Sequence, residues 1–64
     1  MKAETKFLVL QFEKMNNTIM IYELDSETKE DAEEEMEDLK TNTSIDMLLT
    51  RHEFLQLKTQ VNKI

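Results

Sequence analysis

Between Phe7 and Phe12 the chain is apolar on both parities of an extended backbone, with Leu8, Leu10 and Phe12 on one side and Phe7 and Val9 on the other. A strand apolar on both faces belongs inside a sheet rather than at its rim. A second run, Thr18 to Leu24, is again rich in β-branched and aromatic residues, and Asn16-Asn17 lies between the two. The spacing predicts a β-hairpin of Lys6 to Glu13 and Thr18 to Leu24. The chain contains neither Gly nor Pro, so its turns fall to Asn, Asp, Ser and Thr. Of these, Asn best tolerates the left-handed backbone that a tight turn demands.

From Asp25 the period changes. A Glu-rich stretch to about Lys40 predicts a helix, capped by Asp25, Ser26 or Thr28 and held down by a thin stripe of Ala32, Met36 and Leu39. Thr41-Asn42-Thr43-Ser44 breaks it, with Asn42 placed for a left-handed residue just past the helix end. Ile45, Met47 and Leu49 then alternate with Asp46, Leu48 and Thr50, which fits a short third strand apart from Leu48. The alternative is one helix from Ser44 onward, leaving a hairpin plus two helices. Thr50-Arg51-His52-Glu53 is a capping box flanked by Leu49 and Phe54 at the hydrophobic-staple positions, so a helix starts there. Phe54, Leu57, Val61 and Ile64 make its apolar stripe.

The expected architecture is α+β in the order β-β-α-β-α, one small domain over 1–64. Its sheet has three antiparallel strands in the order 2-1-3, packed with two helices. If both helices lie on one face, Phe7 and Val9 stay uncovered on the other, and an uncovered apolar patch calls for a partner.

Size sharpens that expectation. Sixty-four residues bury only about 60% of the surface exposed on unfolding, and chains this short lean on disulfides, a structural metal or self-association. There is no cysteine and a single histidine, His52, so a homodimer or other homo-oligomer is the support left open. The apolar run after Lys2 and Lys6 is cut by Gln11 and Glu13 before reaching signal-peptide length, and no segment approaches the roughly 20 apolar residues of a membrane span. A cytoplasmic protein without a membrane partner is therefore expected. Scarcity of residues with GC-rich codons suggests an AT-rich genome, such as a low-GC bacterium, its phage or a plasmid.

Charge is distributed unevenly. Asp25 to Asp38 holds nine carboxylates and one lysine within a chain of net charge −6. On a helical projection Glu27, Glu30, Glu34, Glu37 and Asp38 oppose the apolar stripe and form a candidate partner-binding face for a basic surface. Nine charges over fourteen residues at about 1.5 Å rise approach the charge density of duplex DNA. A solvated face that keeps a small protein soluble has the same appearance. No catalytic, cofactor-binding or metal-ligating set is expected. EF-hand and phosphate loops need glycine, and no Glu-x-x-His motif is present. His52 beside Glu53 sits in a helix start, Ser26 and Ser44 lack a neighbouring base, and the scattered lysines argue against direct nucleic-acid binding.

The reading is a small acidic protein-protein interaction module rather than an enzyme, of the kind phages and mobile elements use as a regulator or inhibitor of a host protein. Its self-association face would hold Phe7 and Val9. The alternatives are a DNA-mimic inhibitor of a nucleic-acid-binding enzyme and a structural subunit functional only as an oligomer.

Overall fold

A computed structural model describes residues 4–62, with side chains described as far as residue 58. The elements run β1 (Phe7–Glu13), β2 (Thr18–Glu23), α1 (Lys29–Leu39), β3 (Ser44–Thr50) and α2 (Arg51–Asn62), an α+β domain. The open sheet has the order β2-β1-β3, and both pairs are antiparallel.

The β1–β2 connection spans Lys14 to Asn17, where Asn17 takes a positive φ of 53°. Asn bears this left-handed conformation more easily than other residues with a Cβ. Thr28 caps α1, its hydroxyl accepting from the Asp31 N–H at 3.2 Å, while Glu30 and Asp31 place negative charge at the positive end of the helix dipole. The far end departs from the Asn42 expectation. The helix closes on Lys40, whose extended backbone (φ −62°, ψ 144°) donates its N–H to the Met36 carbonyl at 3.1 Å. Asn17 is the one positive-φ residue among those described, so Asn42 is not a left-handed cap.

At the third strand the continuous-helix alternative falls. Ser44 to Thr50 pairs along the whole of β1, from Glu13↔Ser44 to Phe7↔Thr50, and the capping box then turns the chain into α2 with no intervening loop. Thr50 N–H donates to the Glu53 carboxylate at 2.9 Å, and Glu53 N–H donates to the Thr50 hydroxyl at 3.1 Å. This reciprocal pair satisfies two backbone donors that a helix start leaves open. The Thr50 backbone N–H, and after it the Thr50 side chain, favour ionised Glu53 and hold its carboxyl below the ordinary carboxylate range.

The helices lie on opposite faces of the sheet, for a reason that backbone geometry supplies. β2 and β3 are both antiparallel to β1 and hence parallel to each other, so α1 is the crossover of a split β-α-β unit. The Phe7 carbonyl accepts from Leu24 on the β2 side, whereas the Lys6 carbonyl accepts from Arg51 on the β3 side. With that alternation, a right-handed crossover carries α1 over the face that bears Phe7, Val9 and Gln11. There Val9, Leu24 and Ala32 form the buried centre, with Phe7, Tyr22, Met36, Leu39 and Leu48 packed around it. Leu48 breaks the alternation of β3 because its own face is covered by α1. α2 rests on the other face, where Leu8 and Leu49 are buried.

Candidate interaction surface

Strand register arranges the α2 side of the sheet as three rows of three. Leu8 stands between Glu23 and Leu49, Leu10 between Ile21 and Met47, and Phe12 between Ile19 and Ile45. α2 covers the first row only, and a shallow groove lined by Leu8, Ile21, Glu23, Phe54, Leu55 and Lys58 marks the limit of its reach. Beyond that groove the other two rows lie open. Ile19 is 66% exposed, Ile45 58%, Met47 52% and Ile21 49%, while Leu10 and Phe12 are half-buried between them. No charged residue stands in either open row. Six contiguous apolar side chains, on a sheet whose outer strands pair with no further strand among the described residues, form a surface of the kind that soluble domains cover with a partner.

This arrangement corrects the expectation for Phe7 and Val9. Val9 is fully buried beneath α1 and Phe7 is partly buried in the same cluster, so neither is presented for association. Right-handed crossover places α1 over the mixed face, where Gln11, Glu13, Ser44 and Asp46 accompany the apolar residues, and two rows of the more uniformly apolar face are left uncovered. On α2 Phe54 is half-buried, but Leu57 is 41% exposed, and it is Leu55 and Lys58 that join Phe54 along the groove. The stripe residues Val61 and Ile64 lie outside the described side chains.

No family model, curated protein or solved structure matches this chain.

Of the five acidic positions, Glu27, Glu34, Glu37 and Asp38 line one shallow groove with Asp25 and Asp31, and Glu30 lies outside it. All five are exposed. Glu27 precedes the Thr28 cap and so belongs to the loop rather than to the helical face; it pairs with Lys6 at 2.7 Å. Glu37 pairs with Lys40 at 2.9 Å, a contact that raises the Lys40 ammonium above its ordinary range. Glu35, half-buried, accepts from the Ser26 hydroxyl at 2.5 Å.

Two polar devices hold the α1 side together, and the alternation pattern does not reveal either. Gln11, only 4% exposed at the middle of β1, donates from Nε2 to the Leu39 carbonyl at 2.8 Å and to Asp46 Oδ2 at 2.9 Å. Its Oε1 accepts from the Tyr22 hydroxyl at 3.5 Å. One amide thus connects the end of α1 with all three strands. At the end of β1, Glu13 accepts from the hydroxyls of Thr41 (2.6 Å) and Thr43 and from Met15 N–H (3.2 Å). The Thr41 bond, then the Thr43 bond, keeps the Glu13 carboxyl below its ordinary range.

Ser26 lies before α1, Ser44 opens β3 and His52 is in the first turn of α2, so the side chains considered for nucleophilic or acid-base work sit on separate elements. Among the described residues no group of three or more His, Asp or Glu is arranged to hold a metal ion, and no helix is long and apolar enough to cross a membrane.

Proposed function

We propose that this protein is a small, acidic, non-enzymatic protein-protein interaction module that acts by burying the open rows of its sheet against a partner. The contiguous exposure of Ile19, Ile21, Ile45 and Met47 around Leu10 and Phe12 carries this reading. Leaving such a patch in water forgoes roughly 25 cal/mol per Å² of apolar area, which a partner recovers. A regulator or inhibitor of another protein is the role that suits so small a domain.

The second reading, mimicry of a nucleic acid toward a basic enzyme, is favoured by the acidic groove of Glu34, Glu37 and Asp38 with Asp25 and Asp31. One experiment separates them. Tagged wild-type protein is compared in co-purification with an Ile19→Lys/Ile45→Lys variant and a Glu30→Gln/Glu34→Gln/Glu37→Gln variant. A partner lost by the Lys variant and kept by the Gln variant is the expected outcome. The opposite pattern, with binding that weakens steeply as salt rises, refutes the sheet-face reading in favour of mimicry.

A further inference from the structure

Resting on that reading of the sheet face, we propose that the partner is a second copy of this chain, docked face to face so that the open rows of each sheet cover those of the other. Area, charge and symmetry converge on this occupant.

The open rows and their rim expose on the order of 500 Å² of apolar surface per copy, within the range of functional patches on monomers. Two copies together bury about 1,000 Å², which meets the lower bound for a specific interface and belongs to the small, reversible end of the range.

Charge selects the face. Two chains of net charge −6 repel each other wherever their acidic helices meet. The open rows carry no charge and lie on the side of the sheet opposite α1. Sheets docked face to face lie about 10 Å apart and each α1 packs roughly 10 Å outside its own sheet, which separates the two α1 helices by roughly 30 Å, several times the ~8 Å screening length at physiological salt. Any approach through α1 brings the carboxylates together instead.

The outermost row is also nearly self-complementary. Phe12 is flanked by Ile19 on one edge strand and Ile45 on the other, so a two-fold axis near the centre of the patch sets isoleucine against isoleucine. In the product the two sheets face each other across the open rows, with α2 of each copy flanking the contact over the row it already covers and an acidic helix on each outer surface.

The test is sedimentation equilibrium of the intact chain from roughly 1 µM to 1 mM, the span that brackets a weak interface. It is combined with NMR of the Ile19, Ile21 and Ile45 methyl groups in the presence of a soluble paramagnetic probe. The expected result is a reversible dimer with a micromolar dissociation constant, unchanged or tightened by added salt, and methyl groups that become shielded as concentration rises. Ile45→Lys weakens the dimer at least tenfold while leaving the circular dichroism and melting of the dilute protein intact, because Lys is well tolerated on an edge strand. Ile19→Lys on the opposite edge repeats the test should that variant fail to fold. A wild-type monomer at ~1 mM whose methyl groups remain accessible overturns the second copy and leaves the binding face standing. A monomer with shielded methyl groups overturns both. A dimer indifferent to the Lys substitutions overturns the proposal by showing that the copies meet elsewhere, as at the free edge of β2.

Discussion

Replacing Gln11 tests whether one buried amide fixes how α1 and the sheet are joined. Its Nε2 faces two acceptors, the Leu39 carbonyl at 2.8 Å and the Asp46 carboxylate at 2.9 Å, so its orientation is dictated: the reverse amide would set oxygen against both. Gln11→Leu keeps much of the volume but strands those acceptors. A neutral hydrogen bond contributes about 1 kcal/mol and one to a charged group about 1.5–3 kcal/mol, giving an expected loss of about 2–4 kcal/mol. In a domain this size each kcal/mol moves the midpoint by about 4–8 °C, so melting falls by roughly 8–32 °C. The loss is a large fraction of the total, since marginal stability at this length is only about 3–10 kcal/mol. Gln11→Glu is the sharper probe, because it preserves shape while placing a second carboxylate against Asp46. Two such groups cannot both stay ionised at contact, so the variant is less stable than Gln11→Leu at pH 7 and recovers on acidification, when one shared proton replaces the lost donor. Thermal and urea melts followed by circular dichroism at neutral and mildly acidic pH provide the measurement. A Gln11→Leu variant within about 0.5 kcal/mol of wild type, the level of an ordinary surface change, would refute the role assigned to the amide. A pH-independent Gln11→Glu variant would refute its coupling to Asp46.

Thr50→Ala removes the hydroxyl that accepts from Glu53 N–H and is expected to cost about 1 kcal/mol, with faster hydrogen exchange at the Glu53 amide; an unchanged midpoint and exchange rate would show the box to be dispensable. The Glu13 carboxyl sits below its ordinary value near 4.5 because of Thr41 and Thr43, so its stabilising contribution is complete above that value and disappears as pH falls through the lower folded-state value. Wild type is therefore more stable than Glu13→Gln at neutral pH, and urea melts show the gap closing in acid; a gap that widens on acidification contradicts the sign.

Strands, their order and the capping box were legible because each depends on local pattern. Phe7 to Phe12 is apolar on both parities, which marks β1 as central, and Thr50 and Glu53 are the right pair at the right spacing. The covered face was not legible from alternation alone. It depends on the hand of the crossover and on which side of β1 the Phe7 carbonyl points, so the pattern alone places Phe7 and Val9 on the open side, whereas they belong to the core. In the sequence Gln11 marks only the end of an apolar run, because a polar residue in a strand carries no mark of its partners, which lie 28 and 35 positions away. Glu13 with Thr41 and Thr43 is hidden for the same reason. The outward acidic residues of α1 follow helical period and were placed on the exposed side, except that Glu27 lies ahead of the Thr28 cap.

The position of β1 between its two neighbours has a consequence for biosynthesis. β1 leaves the ribosome before either partner, and β2 follows within a few residues, but the other edge of β1 waits for Ser44 to Thr50. At about 5–20 residues per second, the roughly 30 residues from the end of β1 to the start of β3 take about 2–6 s to make. A hairpin of two strands is marginal in water by itself. Until the third strand arrives, β1 has only one of its two edges paired, and the apolar residues that the finished sheet orders are held by a hairpin alone.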